Sequence, residues 1–287
     1  MDLEQKSIAR IRMASEMSLK YYGKPLVCTY SGGKDSDVML ELFKRSGVPF
    51  EVINSHTTVD APQTVYHIRA QFRRLEERGV KCTIRMPKMT MWQLIAKKKM
   101  IPTRMRRFCC DYLKENTIKN RFVATGVRWA ESQNRTNRQE IEPKKKSDAE
   151  KIMLLNDNDR KRRITERCEM KSDMIANPIL DWQDRDVWEF YWGECKLHNP
   201  LYEMGYYRVG CIGCPMASKS RWKEFTDFPT YQRAYIRAFE KMINALTAEG
   251  KSPRWKNGEE AFLWWMEDEN VEGQMDVFDF LKEENYD

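Results

Sequence analysis

The sequence predicts an α/β protein: a doubly wound, mainly parallel sheet followed by a helical C-terminal region. Three observations carry that expectation. Short apolar runs rich in β-branched residues recur at 25–30 (PLVCTY), 49–56 (PFEVINSH), 81–86 (KCTIRM) and 121–127 (RFVATGV). The stretches between them, such as DSDVMLELFKRSG (35–47) and APQTVYHIRAQFRRLEERG (61–79), place apolar residues at helical spacing and end at glycine. From NPILDWQDRDVWEFYW (177–192) onward the chain reads helical and aromatic, holding seven of the nine tryptophans. Strand then helix, repeated, makes successive strands parallel and covers both faces of the sheet.

Residues 1–24 mix acids and bases early and read as a helix; they contain no apolar segment leading to a small-residue cleavage site, so a cytoplasmic location is expected. No apolar run approaches the ~18 residues that a membrane span requires. Hydrophobic residues make up 41% and charged residues 32% of 287, which suits a globular chain with a full core. One main domain is expected over 1–175, with a charged, basic insertion at about 136–173, and a helical region over 176–287. The tryptophan-rich helices are expected to pack a core. The acidic end, MEDENVEGQMDVFDFLKEENYD (266–287), reads as a surface helix, and the chain has no internal repeats.

The first strand is followed by SGGKDS (31–36), which spends two of only 13 glycines on one turn. In such folds ligands bind beyond the carboxyl ends of the strands, and the free N–H groups at a helix N-terminus attract phosphate. Gly32 and Gly33 let those amides approach an anion without a Cβ in the way, Ser31 and Ser36 add hydroxyls, and Lys34 supplies a positive charge. The spacing fits neither the Walker A pattern nor the dinucleotide fingerprint. A phosphate cradle of another type is expected.

The net charge of +7 is uneven: residues 97–176 hold 22 Lys and Arg against 12 Asp and Glu, leaving the remainder at −3. A nucleotide or a nucleic-acid backbone suits such a segment, and a solvated charged face accounts for it equally.

Eight cysteines without an export signal point to metal binding or catalysis rather than disulfides. Cys109 and Cys110 are adjacent, and Cys211 and Cys214 form a C-x-x-C. Four thiolates hold either zinc or an iron–sulfur cluster. Neighbouring cysteines fit poorly around one tetrahedral ion, whereas a cluster offers each its own iron, so a 4Fe-4S cluster is preferred, though spacing alone leaves zinc open. Cys28 and Cys82 read as buried strand residues, and Cys168 and Cys195 have no assignment.

The SGGKDS loop resembles the PP-loop of the ATP pyrophosphatase superfamily, whose members have a Rossmann-like sheet. The cysteine pair with C-x-x-C resembles the cluster-binding members of the sulfonucleotide (PAPS/APS) reductase family. ILDWQDRDVWEFYW and HNPLYEMGYYRVGCIGC are similar to that family's helix and its segment leading to the C-x-x-C, and TGVRWAESQNR to its arginine-bearing loop. The resemblance covers about residues 20–240. It implies nucleotide binding by Ser31, Gly32, Gly33, Lys34, Asp35, Ser36, Arg128 and Arg135. It further implies catalytic roles for Lys34, Asp35 and Arg128, ATP (or PAPS/APS) as nucleotide, Mg²⁺ with Asp35 helping to hold it, and adenosine-proximal or specificity residues in NSHTTVDAPQT. The family's reductases use a cysteine near the C-terminus, and none follows Cys214 here. The expectation is therefore an ATP-using enzyme that adenylates a substrate, releases pyrophosphate and moves sulfur. The resemblance extends to sulfur-inserting proteins of DNA phosphorothioation systems, which implies nucleic acid as a plausible acceptor and a sulfur donor protein as a partner. A PAPS or APS reductase with Cys168 or Cys195 as nucleophile, and a non-enzymatic nucleotide- or redox-sensing module, are the alternatives.

Overall fold

The computed structural model describes residues 2–115, 118–143, 173–218 and 220–267, with the side chains of Glu115 and Asn134 excepted. Most of the insertion expected at 136–173, all of the acidic stretch beyond Glu267, and Cys168 lie outside the described residues. The chain forms two compact units: Met1–Ser55, Pro62–Arg85 and Ile118–Val209 in the first, His56–Ala61, Met86–Thr117 and Gly210–Asp287 in the second. They interleave in sequence, whereas the sequence reading placed one break near 175. The segments that follow the second and third strands belong to the second unit, and no local composition marks that change of allegiance.

The first unit is built on a six-stranded sheet in the order β3-β2-β1-β4-β6-β5. Its strands are β1 (Leu26–Thr29), β2 (Phe50–Ser55), β3 (Lys81–Arg85), β4 (Phe122–Ala124), β5 (Ile141–Pro143) and β6 (Met174–Ala176). All pairs are parallel except β5 with β6, so the mainly parallel α/β expectation holds. Side chains alternate along the strands. Leu26 and Cys28 enter one apolar cluster, with Val52, Phe122 and Ala124, while Val27 joins Ile53, Val123 and Ile175 in another. Both sheet faces are thereby buried.

Helix α1 (Leu3–Tyr22) starts at Asp2, whose carboxylate accepts the Gln5 N–H at 2.8 Å, and it buries Ile8, Ile11, Ala14 and Met17 at helical spacing. Helix α2 (Lys34–Ser46) follows β1, and α3 (Pro62–Glu76) precedes β3. Among the helices the sequence placed in the C-terminal region, α6 (Asp184–Glu194) and α7 (Pro200–Glu203) pack within this first unit.

The second unit is helical: α4 (Met91–Lys98), the short α5 (Phe108–Cys110) running into a π-turn at Asp111–Glu115, and α8 (Ser220–Asp227), α9 (Pro229–Ala248) and α10 (Gly258–Met266). Phe225, Tyr235, Phe239, Phe262 and Trp265 form its aromatic core, with ring centroids 4.6–6.1 Å apart. Trp182 and Trp265 are buried as the core reading expected, but Trp192 and Trp222 stand in solvent. No helix among the described residues is long and apolar enough to cross a membrane.

Candidate active site

In the first unit β1 delivers the chain to Ser31–Ser36, and α2 begins at Lys34. Gly32 has φ +75°, and a Cβ there would lie 2.8 Å from Ile68 Cγ1 and 3.1 Å from Thr64 Cγ2, so only glycine fits. Ser36 closes the turn: its hydroxyl donates to the Gly33 carbonyl at 2.7 Å and accepts the Gly33 N–H at 3.1 Å. The Ser31 hydroxyl lies 3.3 Å from that of Ser36. The four residues expected to shape the cradle are therefore together.

Two residues that the sequence reading did not single out brace the loop. Asn199, fully buried, donates to the Gly32 carbonyl at 2.7 Å and to Thr64 Oγ1 at 3.1 Å. The Tyr202 hydroxyl accepts the Lys34 backbone N–H at 2.7 Å. Both belong to HNPLY, quoted above for its resemblance, so the motif was visible although its partner was not. Satisfying the first free amides of a helix is a general need, and here a phenol meets it.

The ionic groups converge on Asp35. Its Oδ2 accepts from Lys34 Nζ at 2.9 Å and its Oδ1 from Arg128 Nε at 2.7 Å. Arg128 is 1% exposed and also donates to Asp184 Oδ1 at 2.7 Å and to the Trp182 carbonyl at 3.3 Å. Burial opposes its charge, yet Asp35 and Asp184 raise its pKa above the ordinary arginine value; Asp184 in turn is held below the usual carboxylate range by hydrogen bonds from Arg128 and Tyr207, against its burial. The Lys34 ammonium sits 5.3 Å from the Trp188 ring and 5.9 Å from the Tyr207 ring. Asp35 thus joins the two cations expected at the phosphates. Arg135, in a single 3₁₀ turn (Gln133–Arg135), forms no hydrogen bond or ion pair with Asp35 or Lys34 but pairs with Glu131, whose Oε2 also accepts the Arg128 backbone N–H at 3.0 Å.

In the second unit Cys109, Cys110, Cys211 and Cys214 line one cavity together with Thr57, Lys114 and Tyr235. None forms a disulfide. The C-x-x-C is a tight turn, with Cys214 N–H on the Cys211 carbonyl at 3.2 Å. Gly213, at φ +71°, sits against the aromatic core, where a Cβ would lie 2.6 Å from Phe225 Cζ and 2.9 Å from Trp265 Cη2. Cys211 is further tied by a backbone bridge to Asp60 and a 3.4 Å contact from its thiol to Thr57 Oγ1. The Cys109 thiol is pushed up first by its hydrogen bond with Cys110 and then by burial; burial also raises Cys211, against the opposing Lys114 charge. Lys114 is held above its ordinary value by the Cys211 sulfur. The expected ligand set is met only in part: the four thiols share a cavity, but no three His, Cys, Asp or Glu side chains among the described residues are placed to hold one metal ion. Four free thiols in one cavity are the donor set of an iron–sulfur cluster and equally of a Cys₄ zinc ion.

Cys28 and Cys195 are buried, and burial raises both thiols; Cys82 is pushed up to about 12 by the same cause. None of these is a ready nucleophile.

The model of the phosphoadenosine phosphosulfate reductase domain matches residues 25–217, and the chain belongs to that family. The family is one of enzymes, of sulfonucleotide reductase or PP-loop type. Two uncharacterised proteins of Methanocaldococcus jannaschii are 27% identical, over 233 residues (78% of this chain, 42% of the relative) and 260 residues (86% and 54%). The chain spans about half the length of these curated relatives. The crystal structure of a phosphoadenylyl-sulfate reductase from Candida auris, in a phosphate complex, is similar over 65% of this chain and 80% of its own, at 18% identity and a TM-score of 0.42.

Proposed function

We propose that the chain is a PP-loop enzyme that binds ATP at Ser31–Ser36, adenylates an acceptor and transfers sulfur to it. The observation that carries this reading is the braced loop with the buried Lys34 and Arg128 joined through Asp35. Gly32 places no Cβ between an anion and the loop backbone, Ser36 holds the turn closed, Ser31 offers a hydroxyl, and Lys34 with Arg128 supplies fixed positive charge where negative charge develops on the phosphates. Arg135 is proposed at the outer edge of the nucleotide. An acceptor oxygen attacks the α-phosphorus of ATP, the bond to the β-phosphate oxygen breaks, and pyrophosphate leaves. The outer sulfur of a persulfide on a donor protein then attacks and displaces AMP, and a second thiol of that donor cleaves the S–S bond so formed, leaving the thiolated acceptor and a disulfide on the donor.

Mg²⁺ would neutralise charge on the phosphates, and Asp35, which pairs with Lys34 and Arg128, would exchange one of those partners to help hold it. Cys109, Cys110, Cys211 and Cys214 would hold a 4Fe-4S cluster, which when bound supplies a sulfur-binding or electron-relaying centre. The excess of ten positive charges over residues 97–176 supports a nucleic acid as acceptor. A cytoplasmic site of action belongs to this reading.

Family membership favours a second reading, reduction of PAPS or APS. That chemistry needs an attacking thiolate, and outside the foursome the described cysteines have raised pKa values. ATP–pyrophosphate exchange, assayed beside thioredoxin-dependent sulfite release, separates the two. Exchange that disappears in Lys34→Gln supports the first; sulfite release without exchange replaces it with the second. Tight ATP binding with neither product, even with nucleic acid and a sulfur donor present, would leave a sensing module.

A further inference from the structure

A second cavity in the first unit, of about 260 Å³, lies between α2 and α3 and is closed by the segment Cys195–Leu197. Nothing in the proposed chemistry uses it. Its walls come from Asp37, Glu41 and Lys44 on α2, Gln71 and Arg74 on α3, and Arg78 in the turn that follows α3.

Its charges do not balance. At the closed end the Asp37 carboxylate accepts from the Tyr30 hydroxyl at 2.5 Å and from Gln71 Nε2 at 3.4 Å, and lies 3.0 Å from His67 Nε2. Glu41 is equally committed, with Lys44 Nζ at 3.0 Å and Arg45 Nε at 3.4 Å. Arg45 is shared further with Glu4 and Glu194. Both acids of the cavity therefore have their partners. By contrast, the side chains of Arg74, Arg78 and Lys196 form no ion pair or hydrogen bond with any described residue, and all three are exposed at the rim.

We propose that this groove binds a small condensed phosphate, at a site separate from the Ser31–Ser36 loop. Three unpaired cations around one concavity repel one another and focus a positive potential that a multiply charged anion relieves. Arginine's planar fork matches phosphate oxygens two at a time, and two such forks come from the last turn of α3 (Arg74) and the turn just after it (Arg78). The volume lies below the ~300–1,000 Å³ of sites for drug-sized ligands, which favours a short phosphate chain over a whole dinucleotide.

The test is calorimetric titration of the full chain with inorganic tripolyphosphate, in wild type, Arg74→Gln/Arg78→Gln and Lys34→Gln. The wild type is expected to show two sites. The double variant, altered only at exposed positions and checked for an unchanged melting temperature, is expected to lose one of them or weaken it at least tenfold and to keep the other. Lys34→Gln should do the converse. A single wild-type site that vanishes only in the double variant leaves the groove standing and removes the loop reading. A single site that vanishes only in Lys34→Gln, or a double variant whose isotherm matches wild type, overturns the groove. Repeating the titration with ATP identifies the source: two sites mean that the groove takes nucleotide tails, one site that it takes free condensed phosphate.

Discussion

Arg128 Nε donates to Asp35 Oδ1 at 2.7 Å, across 93 positions of sequence, and this contact ties the loop after β4 to the first turn of α2. The guanidinium spends its second edge on Asp184. A lysine offers one compact charge and cannot hold two carboxylates at once. Arg128→Lys should therefore lower ATP affinity at least tenfold, about 1.4 kcal/mol. Since Asp35 and Asp184 keep some contact with water, the stability loss should be about 1–2 kcal/mol, below that for a fully buried pair. Nucleotide titration and urea unfolding read the two effects.

Tyr202→Phe removes the hydroxyl that accepts the Lys34 amide. That amide is one of the groups an incoming phosphate would use, so the phenol competes with the ligand. The variant should lose about 1 kcal/mol of stability, while its affinity for inorganic phosphate or ATP rises a few-fold. Unchanged affinity would show that the amide plays no part in binding.

Gly213→Ala places a methyl group in the aromatic core at a backbone angle that disfavours it. A loss of about 2–4 kcal/mol is expected from overpacking and strain together. Thermal unfolding measures it. Gly210→Ala, where no atom lies within 4 Å of the added methyl, is the control.

The Asp181 carboxyl provides an acid-stability prediction. Burial alone would raise its pKa, but hydrogen bonds from Arg10 and Lys6 lower it to about 2. A depressed carboxyl stabilises the fold above its unfolded pKa and loses that contribution as pH falls through the folded value. Stability should thus decline by on the order of 2 kcal/mol between about pH 4 and pH 2 on its account. Asp181→Asn should flatten that part of the urea-midpoint profile and lower stability at neutral pH.

The parts of the molecule governed by local chemistry were legible in the sequence. The apolar runs at 25–30, 49–56, 81–86 and 121–127 became β1 to β4, and SGGKDS became a glycine turn at a helix start. β5 and β6, three residues each, are too short for a periodic signal and flank the charged stretch. The braces Asn199 and Tyr202 act on a loop 167 and 168 positions away, a distance that only the fold closes. The same holds for Arg128, whose presence in the site was expected but whose two acid partners were not. The loop after β2 was expected, from the resemblance, to carry adenosine-proximal or specificity residues, and its Thr57 and Asp60 stand beside Cys211. The loop and Cys211 are about 150 positions apart, and nothing local signals their meeting until the backbone bridge is seen.

The claim that the chain is a cluster-bearing sulfur-transfer enzyme is tested most directly by iron and acid-labile sulfide analysis of anaerobically purified protein, wild type against Cys110→Ala. About four irons and four sulfides per chain, lost in the variant, are predicted. One zinc and no sulfide, retained in the variant, would contradict the account.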